Sequence, residues 1–240
     1  MVKYPIICFM GPSKCGKSTQ AVLLYNSLRY LKIPGIYRYL KSFHTPVYQL
    51  LKLMLILIPC NKKQISTLLK LNPMFALFLL KPQLVKKKLL IKTFSLFEEL
   101  SFLLLDIFSV RIPATLGKVV IVDEYIPGRI NDYLSSMLRK SRLTKFLIKL
   151  NLAMLPRNII LIYLSCSYDV SKERALLHNK VPEPKNYFTN WQKTYLLIKK
   201  IYPYIQTICM NTNSSTEIKV HNLILRKILL RINRIVGIRL

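Results

Sequence analysis

Residues 11 to 18, Gly-Pro-Ser-Lys-Cys-Gly-Lys-Ser, fit the pattern Gly-x-x-x-x-Gly-Lys-Ser without a mismatch. The run before them, residues 4 to 10, is apolar and partly β-branched, as a buried parallel strand is. Thr19 to Leu31 carries the apolar spacing of a helix. Strand, glycine loop and helix in that order confine the chain to an α/β architecture with a phosphate-binding loop between the two elements. A glycine turn matching by chance would not come with both neighbours. Gly11 and Gly16 let the backbone curl until successive N–H groups point at phosphate oxygens, and the helix opening near Lys17 adds the positive end of its dipole. Gly11, Pro12, Ser13, Lys14, Cys15, Gly16, Lys17, Ser18 and Thr19 are therefore the expected nucleotide-binding set. Lys17 is expected to reach the β and γ phosphates and the Ser18 hydroxyl to hold Mg²⁺, with Thr19 in support. Cys15, inside the loop and near a helix N-terminus, is expected to have a lowered thiol pKa and to react with alkylating agents unless nucleotide covers it.

A length of 240 residues suits one α/β domain with a large core and is short for two, so a single domain over 1–240 is expected. The five cysteines lack zinc-ligand or redox-motif spacing and read as reduced thiols of a cytoplasmic protein, and the three histidines are scattered. A core strand this near the N-terminus leaves no room for a cleaved leader. Charge is lopsided: 38 Lys and Arg against 10 Asp and Glu give a formal +28, and no acid precedes Glu98. Such an excess predicts attraction to polyanions, either nucleic acid or an anionic membrane surface. Nucleic acid is the weaker of the two, because no reading motif or aromatic stacking platform is recognisable.

Farther along, Ile36 to Leu40 reads as a second short strand, with Arg38 and Lys41 at the carboxyl end where open α/β sheets bind ligands. Residues 46 to 110 form an apolar insertion whose three stretches, Val47 to Ile58, Pro73 to Leu80 and Phe94 to Val110, read as helices. Charges interrupt them, and none reaches the ~18 to 20 residues of a membrane span. A buried insertion and one that dips into a membrane interface are both open. Gly117 to Tyr125 is an apolar strand closed by acids. Since no carboxylate precedes Glu98, Asp123 at that strand end is the candidate for orienting Mg²⁺, a helix cap being its other reading. Asn158 to Leu164 is a further strand, followed by a helix bearing Arg174. His178 to Lys185 is a polar loop whose Lys180 and Lys185 suit closure over phosphates. Trp191 to Ile201 reads as helix and Tyr204 to Met210 as strand. Glu217 to Leu240 is a basic amphipathic helix that should attract anionic lipid unless it packs on the sheet. Five strands alternating with helices predict a parallel sheet with right-handed crossovers and helices on both faces.

Four segments resemble one family. GPSKCGKSTQAVLL is similar to the phosphate loop and first helix of the thymidylate kinases, which belong to the P-loop nucleoside monophosphate kinases. GKVVIVDEY is similar to their strand ending in Asp-Arg-Tyr, LSCSYDVSKERA to their strand and arginine-bearing helix, and TYLLIKKIYPYIQTICMN to their last helix and strand. The resemblance spans most of the chain. It implies a P-loop NTPase fold, ATP and Mg²⁺ as cofactors, and transfer of the γ-phosphoryl group to a thymidylate-like nucleoside monophosphate. By the same resemblance Lys17, Asp123 and Arg174 are catalytic, with Ser18 and Asp123 on the metal and Arg174 on phosphate. Glu124 departs from the pattern, standing where the family has a phosphate-contacting arginine, and lysines replace the arginine-rich lid, losing bidentate contact. Glu124 is expected to repel a compact nucleotide phosphate unless Arg38, Lys41 or Arg129 compensates. Two other functions therefore stay open: a kinase for a non-nucleotide, apolar or membrane-associated acceptor, and an ATPase or switch in which Glu124 activates water. A homodimer is compatible with this sequence.

Overall fold

The protein is described by a computed structural model that covers residues 4–40, 45, 88–135, 141–213 and 215–236. Its first half runs Ile6–Met10 (β1), Lys17–Tyr30 (α1), Gly35–Tyr39 (β2), Lys88–Asp106 (α2), a π-helical turn Ile107–Arg111, Ile112–Thr115 (α3) and Val119–Asp123 (β3). The second half runs Tyr125–Ser135 (α4), Arg142–Met154 (α5), Ile159–Ser165 (β4), Tyr168–Leu177 (α6), Lys185–Ile201 (α7), Gln206–Asn211 (β5) and Glu217–Val236 (α8). The five strands pair in parallel in the order β2-β3-β1-β4-β5.

Strands buried on both faces need apolar residues at every position rather than at alternate ones, and β1, β3 and β4 supply them. Ile6, Cys8, Met10, Val120, Val122, Ile159 and Leu161 point to one side, into a core with Phe102, Tyr125, Ile130 and Trp191 from the helices α2, α4 and α7. Ile7, Phe9, Val119, Ile121, Ile160, Ile162 and Leu164 point to the other, against α1 and α8. Each such side chain contributes about 1.5–3 kcal/mol when fully buried. The register sets Phe9 beside Asp123. The loop that leaves β1 and the acid that ends β3 therefore emerge at the same sheet edge.

Helix α7 begins at Lys185, earlier than the expected Trp191, with Pro184 as its N-cap. Of the three apolar stretches, Phe94–Val110 lies in α2 and the π-helical turn. Val47–Ile58 and Pro73–Leu80, like Lys41, fall outside the described residues. Helix α2 with the π-helical turn after it is inverted relative to an ordinary surface helix: Glu98, Glu99, Phe102 and Asp106 are buried, while Leu96, Leu100, Leu104 and Phe108, spaced by four, are exposed. Among the described residues no helix is long and apolar enough to cross a membrane. Helix α8 packs on the sheet side of the fold through Val220, Ile224, Ile228 and Ile232, and His221 meets Ser27 of α1 at 2.9 Å. Those four apolar side chains are thus committed to the core and are not available to a lipid surface. Glu98, Glu99, Asp106, Asp123, Glu124 and Asp132 are all buried. They are six of the ten acids in the sequence, so the outer surface is more cationic than the net charge alone conveys.

Candidate active site

The phosphate loop leaves β1 with left-handed backbone at Gly11, Lys14 and Gly16 (φ 139, 62 and 89). A Cβ on Gly11 would stand 2.0 Å from the Leu164 carbonyl oxygen, so no other residue fits there. Gly16 N-caps α1 with no side chain in the way, leaving the first amides of the helix facing the crevice. Cys15 is buried, its Sγ donating to the Pro12 carbonyl at 2.9 Å, and burial pushes its thiol up to about 12. The expected reactive thiol is therefore overturned. The helix N-terminus and Lys17 favour the thiolate, but exclusion from water outweighs both.

Lys17 lies folded back inside the loop. Its Nζ donates to the Pro12 carbonyl at 2.7 Å, stands 3.5 Å from Glu124 Oε1 and lies 5.6 Å from the centre of the Trp191 ring. Burial disfavours the ammonium, but Cys15, Glu124, Asp123 and Glu183 favour it, and together they hold Lys17 above the ordinary lysine range. Asp123 is fully buried and accepts from the Ser18 hydroxyl at 2.5 Å. A hydroxyl and a carboxylate in contact beside a phosphate loop form a hard-oxygen pair suited to Mg²⁺, which takes one or two protein oxygens and completes its shell with phosphate and water. The donor set fits that ion.

Glu124 and Tyr125 are consecutive non-glycine residues in the left-handed region (φ 68 and 44), a conformation that costs on the order of 1–3 kcal/mol each and persists only where surroundings enforce it. Tyr125 is buried and donates its hydroxyl to Asp106, which Arg111 also engages at 2.6 Å. The Glu124 amide donates to the Phe9 carbonyl at 2.9 Å. This bracing turns the Glu124 carboxylate back toward Lys17 instead of along α4. Behind the loop, α6 acts as a strut: Ser171 donates to the Ser13 carbonyl at 2.9 Å, and Arg174 donates to the carbonyls of Lys14 (3.2 Å) and Thr212 (2.9 Å). A cavity of about 1060 Å³ opens over the loop, lined also by Tyr39, Glu124, Glu217, Val220 and residues 178 to 184.

By sequence, no family model and no curated protein matches this chain. By structure it is similar to a thymidylate kinase from Candida albicans, with a TM-score of 0.63 and 18% identity over 96% of this chain and 93% of that one. It is also similar to a thymidylate kinase from Ehrlichia chaffeensis, with a TM-score of 0.52 and 15% identity over 94% of this chain and 98% of that one. The chain has the thymidylate kinase fold.

Within that fold, Lys17, Ser18, Asp123 and Glu124 converge on the edge where β1 and β3 end, and Arg174 reaches the same cavity from α6. Arg174 holds loop carbonyls here, where the resemblance implied a phosphate contact. Of the compensating cations expected near Glu124, Lys41 falls outside the described residues, and neither Arg38 nor Arg129 lines the cavity. Arg129 is buried between Glu99 (2.6 Å) and Glu98 (3.3 Å) and lies over the Phe102 ring. Arg38 is exposed, and Tyr39, its neighbour on the opposite face of β2, lines the cavity. Lys180 does line the cavity, close enough to Lys14 to reinforce the burial that lowers the pKa of Lys14. Sequence reasoning missed Ser171, Glu183 and Trp191. Only Glu183 carried a signal, as an acid between two prolines in a chain almost free of acids.

Proposed function

We propose that the protein is an ATP-dependent phosphotransferase that passes the γ-phosphoryl group of ATP to a nucleoside monophosphate of the thymidylate kind. The observation that carries this is a complete phosphate loop whose Lys17 and Ser18 line one cavity, with buried Asp123 bonded to the Ser18 hydroxyl. The loop amides and Lys17 bind and orient the β and γ phosphates, so the reacting groups are held in line and water is excluded as residues 178 to 184 close. Mg²⁺ between Ser18 and Asp123 would neutralise charge building up on the phosphates. Lys14, Lys180 and Arg174 surround the same space with positive charge. The test is ADP release from MgATP with thymidylate and other nucleoside monophosphates as acceptors. Acceptor-dependent ADP release that disappears in Lys17→Ala is expected. Release indifferent to every acceptor would refute the kinase reading.

A second reading rests on Glu124. Its braced carboxylate beside Lys17 is where a hydrolase needs a base for water, and that reading predicts ADP release without acceptor, lost in Glu124→Gln. The same charge near an incoming nucleotide phosphate favours an acceptor bulkier or more apolar than thymidylate, including one held at a membrane surface. Under that view Glu124→Arg improves thymidylate turnover, and brisk wild-type turnover that Glu124→Arg reduces would remove it. The exposed stripe Leu96, Leu100, Leu104 and Phe108 supports a second copy of the chain as partner, which a solution mass measurement on Leu100→Glu checks by loss of the dimer.

A further inference from the structure

Residues 178 to 184 bring an acid into the phosphate loop. Glu183 Oε2 accepts from the backbone N–H of Ser13 at 3.0 Å, so a carboxylate oxygen sits on one of the amides that the loop geometry turns toward phosphate. Its placement is built rather than casual. Glu183 lies between Pro182 and Pro184, whose rings restrict φ and keep the residue before each proline extended. Its carbonyl accepts from the Tyr168 hydroxyl at 3.2 Å, tying the arm to α6, the helix that also holds the Ser13 and Lys14 carbonyls. Asn179, at the start of the arm, has left-handed backbone (φ 51). Glu183 is half-buried, and both it and Lys180 line the cavity. The arm therefore carries one acid, Glu183, and the basic residues His178 and Lys180 to the same cavity.

We propose that Glu183 is an internal competitor of the nucleotide: in the empty protein its carboxylate takes a phosphate place on the Ser13 amide, and ATP binds only as the arm withdraws it. This rests on the nucleotide-binding part of the function proposed above and adds how that site is regulated. With Glu183 seated on the Ser13 amide and Glu124 3.5 Å from the buried Lys17, both carboxylates favour the Lys17 ammonium, so the chain itself brings negative charge to the loop. Once Glu183 leaves, Lys180 remains on the arm as the group of matching sign for phosphate. The apparent affinity of a site that is open only part of the time falls by the open fraction. A seated state holding about nine-tenths of the free protein would weaken ATP about tenfold.

The test compares the wild-type protein, Glu183→Gln and Glu183→Ala in MgATP titrations, read by calorimetry and by fluorescence of Trp191, the single tryptophan. Both variants should bind MgATP about tenfold more tightly than wild type. In the nucleotide-free protein, hydrogen exchange at the Ser13 amide should be faster in Glu183→Ala. Circular dichroism confirms that the variants fold. Wild-type binding with equal or weaker affinity in both variants would overturn the proposal while leaving the nucleotide site intact, as would unchanged protection of the Ser13 amide. Binding of MgATP to none of the three proteins would overturn it together with the nucleotide reading.

Discussion

Replacing Lys17 by methionine removes the ammonium and keeps most of the stem, and the structure separates its two consequences. Lys17 and Glu124 are both buried, 3.5 Å apart. Two unit charges at that separation interact by about 5 kcal/mol at an effective dielectric of about 20, which bounds the pair from above. Removing one member of a buried pair costs about 3–5 kcal/mol, because the other charge is left uncompensated. Glu124→Gln in the same chain removes the stranded charge. Lys17→Met should therefore lower stability by about 3–5 kcal/mol, and Lys17→Met/Glu124→Gln should regain most of it. ATP affinity should not return with stability. Hydrogen bonds to charged groups are worth about 1.5–3 kcal/mol each, so losing those to two phosphates weakens ATP by a hundredfold or more. The assay is a four-member cycle, with urea unfolding for stability and titration for ATP. Stability that stays low in the double variant would refute the coupling of Lys17 to Glu124. ATP affinity that recovers with stability would refute a direct role for Lys17 on phosphate.

Three further outcomes can be checked. With its thiol pushed up to about 12, Cys15 carries roughly a thousandth of the thiolate of an ordinary cysteine near pH 8. Iodoacetamide followed by mass spectrometry should mark exposed Cys209 and spare Cys15 with or without ATP, and ATP-sensitive labelling of Cys15 would contradict its burial. Burial lowers the pKa of His221, so the unfolded chain takes the proton first, and stability from this group, full above the unfolded value near 6.5, is lost as pH falls. Unfolding midpoints between pH 5 and 8 should show a shallower acid slope in His221→Gln; identical slopes would refute the assignment. Helix α8 leaves Arg226 and Lys227 exposed beside Leu223 and Leu230, while Val220, Ile224, Ile228 and Ile232 are buried. Lipid attraction through its basic residues is electrostatic, at about 1 kcal/mol per residue. The protein should sediment with anionic vesicles and not neutral ones, and be released by high salt. Sedimentation with neutral vesicles, or with neither, would remove it.

What the sequence determined by itself is local. The spacing of Gly11, Gly16, Lys17 and Ser18 after an apolar run determines a phosphate loop, because those residue types at those positions are what close backbone approach requires. The same holds for β1, β3 and β4, whose uninterrupted apolar runs have no other home than a sheet covered on both faces. Asp123 was legible as well, since it is the acid at a strand end. Tertiary structure alone decided which charges meet. Arg129 gave no sign that it would be sealed between Glu98 and Glu99, and Cys15 gave none that burial would override its helix terminus. Glu183 reaches the Ser13 amide from 170 residues away. Pairings of that kind depend on strand order and on desolvation, which belong to the packed molecule and leave no periodic mark along the chain.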